Sequence, residues 1–171
     1  ISELMTINYG RKHFDRAVIF RPHNVYGPDM GWEHVIPQFA LRMKTLIEEN
    51  STDPLPFPIQ GTGEETRAFV YIDDFTDGLM RVVEDGDHLN IYHIGTTEEV
   101  EIREVAREVG RAFDREIEII PGSLQQGSTK RRCPDITKLQ GLGYSPQVGL
   151  PEGIRKTATW YAEHAHLAPE K

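Results

Sequence analysis

Short apolar runs of strand length alternate along this chain with longer segments whose apolar residues recur at helical spacing. No other feature constrains the fold as strongly, because strands separated by helices pack as an α/β layer structure. The clearest run is Ala17-Val18-Ile19-Phe20, held between Arg16 and Arg21. Its length and charged flanks predict a strand buried on both faces. Pro22 to Gly31 follows as a loop, with Gly27-Pro28 and Gly31 as breakers. Val35, Phe39, Met43 and Leu46 then fall on one face of a helix over 35–48.

The same reading covers the rest of the chain. Residues 1–13 form a helix with Ile1, Leu4, Met5 and Asn8 on one side. Asn50 to Pro58 is dense in proline and polar residues and reads as a loop. Ile59 and Ala68 to Ile72 read as short strands around the Gly61-Thr62-Gly63 turn. Asp73 is placed to cap a helix reaching Glu84, with Phe75, Leu79, Val82 and Val83 inward. Strands follow at Leu89–Ile94 and Glu116–Ile120. Between them Thr97 is expected to cap a helix to Phe113, with Ile102, Val105, Ala106 and Val109 inward and Glu99 paired to Arg103 on the outside. Asp135–Leu142 reads as a short helix, and Pro151–His164 as a last helix opened by proline.

Composition narrows the class of function. The net charge is −8, from 27 acidic against 19 basic side chains, and the basic residues are scattered except at Lys130-Arg131-Arg132. A field of that sign opposes nucleic-acid binding. No apolar run approaches the roughly 20 residues of a membrane-spanning helix, so no membrane partner is expected. The N-terminal residues Ile1-Ser2-Glu3-Leu4 carry no signal-peptide pattern and read as the middle of a helix. Cys133 is the single cysteine, which fits a reducing, cytoplasmic setting. Asn50-Ser51-Thr52 matches the glycosylation pattern but reads as an ordinary loop. His164 and His166, two apart on a helix, diverge and predict no metal site.

Three segments are candidates for chemistry. Arg21-Pro22-His23-Asn24-Val25-Tyr26-Gly27-Pro28 leaves a strand at the edge where open α/β sheets hold ligands. Thr66-Arg67-Ala68-Phe69-Val70-Tyr71-Ile72-Asp73-Asp74 opens an apolar strand with an arginine. Arg131-Arg132-Cys133-Pro134-Asp135-Ile136 sets cations beside a carboxylate before a helix. Each also reads as ordinary structure: a strand-end turn, an exposed arginine, a basic loop with a cap. Gly61-Thr62-Gly63-Glu64-Glu65-Thr66 is no dinucleotide fingerprint, since it lacks the third glycine and puts two carboxylates where a pyrophosphate would sit. No tyrosine is followed four residues later by a lysine.

Taken together and in order, the motifs Arg-Pro-x-Asn-x-Tyr-Gly-Pro, Gly-x-Gly-x-x-Thr-Arg-x-Phe-x-Tyr-x-Asp-Asp and Arg-Arg-x-Pro-Asp-Ile-x-Lys resemble the extended short-chain dehydrogenases/reductases. These include nucleotide-sugar epimerases, dehydratases and decarboxylases. The resemblance implies the C-terminal portion of an extended Rossmann-type α/β fold. Residues 1–31 and 73–95 would finish the parallel sheet, and 32–72 and 96–171 would form a smaller substrate-binding domain. It also implies that the catalytic Tyr-x-x-x-Lys pair and the glycine-rich loop lie upstream, leaving no catalytic residue here.

By the same resemblance, NAD (or NADP) is the cofactor, with His23 against its nicotinamide end. The substrate is a nucleotide-diphosphate sugar. Asn24 would donate to the diphosphate, Arg67 and Arg132 would clamp it, and Asp135 would accept from ribose or sugar hydroxyls. His34, Val35 and Ile36, with Pro58, Ile59 and Gln60, would wrap the nucleotide. The intact enzyme would be a homodimer paired partly through residues 1–13. The rival expectation is a non-catalytic module that binds a nucleotide sugar or a partner protein, and a weaker one is a purely structural fragment.

Overall fold

The computed structural model describes residues 1–123, 127 and 129–169. Its elements are α1 (Ser2–His13), β1 (Ile19–Pro22), β2 (Val25–Tyr26), α2 (Val35–Glu49), β3 (Leu55–Ile59), β4 (Thr66–Ala68), β5 (Val70–Tyr71) and α3 (Ile72–Asp85). They continue with β6 (Ile91–Ile94), β7 (Glu99–Glu101), α4 (Ile102–Ala112), β8 (Ile117–Pro121), β9 (Arg131–Arg132), α5 (Thr137–Gln140) and α6 (Leu150–Glu163). The expected α/β class is what forms. Parallel pairs β1–β6, β2–β5 and β3–β8 are joined through helices, and a three-stranded sheet runs β7-β4-β9.

Two apolar cores hold these layers. The larger packs Ile36, Phe39 and Met43 of α2 and Val105, Ala106 and Val109 of α4 against Leu55, Phe57 and Ile59 of β3, with Ile154 of α6. The smaller sets Tyr92 and Ile94 of β6 against Val82 of α3, Leu139 of α5 and Tyr144. Among the described residues no helix is long and apolar enough to cross a membrane.

The expected loop over 50–58 in fact ends in β3. Leu55, Phe57 and Ile59 are buried while Pro56 and Pro58 are exposed. The Leu55 N–H donates to the Glu116 carbonyl at 2.9 Å, and β3 pairs with β8 in parallel register. Backbone N–H groups alternate sides along a strand, so each proline falls where its missing N–H faces away from β8. Proline density concealed a strand that tolerates proline at alternate positions.

Other boundaries shift for equally local reasons. The 68–72 strand divides into β4 and β5, and Ile72 already belongs to α3. Phe20 is 43% exposed, so β1 is not covered on both faces as expected. Val83, expected inward, is exposed, as are Leu4 and Met5 of α1. Thr97 caps nothing: residues 99–101 form β7, and α4 starts at Ile102. Glu99 and Arg103 therefore do not pair. Arg103 bonds Glu101, while Glu99 accepts from Thr66 at 3.0 Å and from Arg131 at 2.9 Å.

Candidate functional site

The pleat of the β7-β4-β9 sheet sorts its basic residues. Thr66 lies opposite Arg131, and Arg67 opposite Arg132, in parallel register. Successive side chains point to opposite faces. Arg131 thus joins Thr66 and Glu99 on one face and is tied to that carboxylate. Arg67 and Arg132 stand side by side on the other, where both line a cleft of about 660 Å³. Arg67 Nη1 donates to the carbonyl of Thr66 at 2.7 Å, and Arg132 Nη2 donates to Thr129 Oγ1 at 2.9 Å. Burial lowers the Arg67 pKa from its ordinary value, and the neighbouring Arg132 charge lowers it further against the pull of Glu65. Two like charges held this close favour an anion between them.

The opposite wall is built by α2. Its N-terminus, with no side-chain cap, presents His34, Val35 and Ile36 to the cleft. The positive end of a helix dipole favours negative charge. Phe39 and Arg42 follow one and two turns along, and Phe69 adds an aromatic surface. Arg42 lies over the rings of Phe39 and Phe57 at 5.7 and 5.6 Å and donates to the carbonyl of Pro58. Burial lowers its pKa. Glu33 and Glu65 are the carboxylates on the rim.

Asn24, His34, Val35, Ile36, Gln60, Arg67 and Arg132 are thus brought to one cleft. Asn24 adopts a left-handed backbone (φ 41°), and its amide donates to the Ala68 carbonyl at 2.9 Å, tying the β1 loop to β4. The remaining expected residues stand apart. Pro58 contributes only its carbonyl to Arg42, and the Ile59 side chain is buried in the larger core. Asp135 lies outside the cleft wall, where Oδ1 accepts from the Thr137 N–H at 2.9 Å and opens α5. Hydrogen bonding with the Thr137 side chain, and then with its backbone N–H, holds the carboxyl below its ordinary value. His23 pairs with His93, its Nε2 lying 2.6 Å from His93 Nδ1.

Sequence reasoning missed Arg42 and Phe39 as cleft residues. Phe39 reads from the sequence as core only, although an aromatic and an arginine three apart on a helix lie on the same side of it. It also missed Asp74. This carboxylate is 5% exposed and accepts from the backbone N–H of Gln147 at 2.8 Å and of Val148 at 3.0 Å. It anchors the segment that feeds α6. Among the described residues, no group of three His, Cys, Asp or Glu side chains is placed to hold a metal.

This α/β layering recurs in solved structures of nucleotide-sugar-modifying enzymes. A crystal structure of dTDP-glucose 4,6-dehydratase from Streptomyces venezuelae with NAD bound superimposes with a TM-score of 0.79 and 28% identity, covering 97% of this chain and 50% of that one. The bovine (Bos taurus) dTDP-D-glucose 4,6-dehydratase is 33% identical over 96% of this chain and 46% of its own length. A trifunctional UDP-glucose 4,6-dehydratase/UDP-4-keto-6-deoxy-D-glucose 3,5-epimerase/UDP-4-keto-L-rhamnose-reductase of Arabidopsis thaliana is 30% identical over 95% of this chain and 24% of its own. The chain spans less than half the length of these two relatives. The NAD-dependent epimerase/dehydratase family model matches residues 1–95. The chain belongs to that family.

Proposed function

We propose that this chain is the substrate-binding half of an NAD-dependent nucleotide-sugar epimerase or dehydratase that works through a transient keto-sugar, and that it is inactive alone. One observation carries the reading: Arg67 and Arg132 in register on adjacent strands, facing one cleft in an acidic protein. A diphosphate brings about two negative charges and phosphate oxygens that guanidinium forks meet bidentately. The uncapped α2 N-terminus opposite supplies further positive potential. Asn24, fixed by Ala68, sets the floor near the diphosphate, and Phe39, Phe69 and Gln60 offer apolar and amide surface to the nucleoside.

The chemistry that bound NAD would supply is reversible hydride transfer at the sugar. The residue of this chain that fits its nicotinamide end is His23, a polar ring just beyond the C-terminal end of β1, the edge where parallel sheets hold cofactors. The chain's own task is to hold the sugar nucleotide in register for that transfer. Exposed Leu4, Met5 and Tyr9 on α1 support a homodimer of the intact enzyme through this helix. Residues 1–31 and 73–95 would belong to its sheet domain. A cytoplasmic setting suits the lone thiol of Cys133.

Calorimetric titration of the chain tests the reading. UDP-glucose or dTDP-glucose should bind saturably, glucose and uridine should not, and NAD should give no saturable micromolar heat. Equal responses to uridine and UDP-glucose, or turnover of any nucleotide sugar by the chain alone, would refute it.

A further inference from the structure

The diphosphate cleft leaves the two imidazoles at the end of the β1–β6 pair unexplained. His93 lies within β6, in register with Arg21 and on the sheet face opposite Tyr92 and Ile94, which fill the smaller core. His23 follows β1, and its backbone N–H donates to the Ile94 carbonyl at 3.0 Å. Gly95 fits tightly between the His23 Cβ and Pro134, which limits where the ring can go.

The geometry of the pair is specific. His23 Nε2 and His93 Nδ1 are 2.6 Å apart, with ring centroids 4.8 Å apart and planes 28° from parallel. That centroid separation is the N···N distance plus one ring radius at each end. The rings therefore meet edge to edge, nearly in plane, as an N–H···N hydrogen bond and not as a face-to-face stack. Such a bond holds one hydrogen. A first added proton enters on an outer nitrogen and strengthens the bond as a charge-assisted one. A second would set two N–H groups against each other.

We propose that His93 is a positioning residue for His23: it fixes the ring and its tautomer, and the two imidazoles bind a single proton jointly. The surroundings decide where the charge sits. Arg21 on β1, held bidentately by Glu3 of α1 at 2.8 and 2.7 Å, and Arg132 on β9 both face His23. Burial, then His93, then these two cations lower the His23 pKa. Glu3 and Asp135 are the carboxylates that feel His93. The surroundings thus keep His23 neutral, with its own hydrogen on Nδ1 and its Nε2 accepting from His93.

A consequence for binding rests on the diphosphate reading of the cleft. His23 lies between Pro22 and Asn24, both cleft residues, and shares Arg132 with it. Charge on the pair adds to the cation field there, so a diphosphate binds more tightly as pH falls, and its binding reciprocally favours protonation. The effect is on the order of threefold between about pH 8 and pH 6, because solvent screens charges not in direct contact.

Imidazole ¹⁵N–¹H correlation spectra across roughly pH 5–8 test the pair in this chain. One ring should titrate while His23 stays neutral in a single tautomer. His93→Asn, whose amide still reaches His23, should keep that tautomer and abolish the shared titration, whereas His93→Leu should release His23 into mixed tautomers. Independent titration of both rings, or an unchanged His23 in His93→Leu, overturns the proposal. The binding arm uses UDP-glucose and dTDP-glucose, diphosphate diesters of constant charge over this range. The pH dependence should be present in the wild-type chain and absent in His93→Asn. A flat wild-type profile overturns the coupling and leaves the cleft assignment standing. Absence of binding at both pH values overturns the diphosphate reading, and the imidazole spectra still decide the proton sharing.

Discussion

Alanine in place of a glycine inside a helix normally gains about 1 kcal/mol of stability. Gly153, in the first turns of α6, should do the opposite. A Cβ there would collide with the Tyr26 hydroxyl and lie 2.7 Å from Tyr26 Cζ and 3.0 Å from Cε2. Tyr26 is 1% exposed, and its ring is wedged edge-on against Tyr71 at 5.5 Å and Phe69 at 6.2 Å, so it cannot retreat. Overpacking of this kind costs about 1–3 kcal/mol, which exceeds the propensity gain. Gly153→Ala should therefore destabilise by up to about 2 kcal/mol net.

Tyr26 supplies the second arm of the same test. Its hydroxyl is buried with no hydrogen-bond partner among the described residues. Burial, with Tyr71 and the carboxylates of Glu98, Asp74 and Glu152 adding to it, pushes its pKa upward, so it stays protonated. An unpaired buried hydroxyl costs about 1–3 kcal/mol, so Tyr26→Phe should leave stability unchanged or raise it by about 1 kcal/mol. A tyrosine that loses a real partner shows the reverse sign. Removing the oxygen also removes the worst contact at Gly153, so Gly153→Ala should cost at least about 1 kcal/mol less in the Tyr26→Phe background. Urea denaturation followed by far-UV circular dichroism reads all four corners of the cycle. A stabilising Gly153→Ala, or additivity of the two changes, would sink the argument.

Two further outcomes follow from the contacts described. Asp74→Ala strands two backbone N–H groups that now bond a carboxylate, and should cost about 3 kcal/mol or more, seen as a lower urea midpoint with an unchanged slope; a loss under about 1 kcal/mol would mean the 147–148 segment is held by something else. Arg67→Ala and Arg132→Ala should each weaken UDP-glucose or dTDP-glucose binding about tenfold to hundredfold and be non-additive, while Arg131→Ala, facing the other way toward Glu99, should leave affinity within about twofold; equal effects of Arg131 and Arg132 in calorimetry would refute the sorting by the pleat.

Much of the fold is written locally. The i, i+4 spacing in α2 and the run Val105, Ala106, Val109 in α4 identify buried helix faces, and both faces are buried as read. The three ordered motifs resemble those of the family, and the resemblance implies one site for Asn24, Arg67 and Arg132, residues that the structure brings to one cleft. Periodicity and motif are properties of neighbouring residues, so a linear string records them.

What the string does not record is which distant residue each group meets. Arg131 and Arg132 are adjacent and chemically alike; only the register of β9 on β4 sends one to Glu99 and the other into the cleft. Proline at 56 and 58 argues against a strand until β8 is seen to lie on the side where their N–H groups are not needed. Asp74 reads as a helix-start acid, and its partners are 73 and 74 residues away. His23 meets His93 across 70 residues because β1 and β6 pair in parallel. Each of these contacts depends on strand register and the packing of whole layers, which are set by the burial of the two cores together and not by any segment alone.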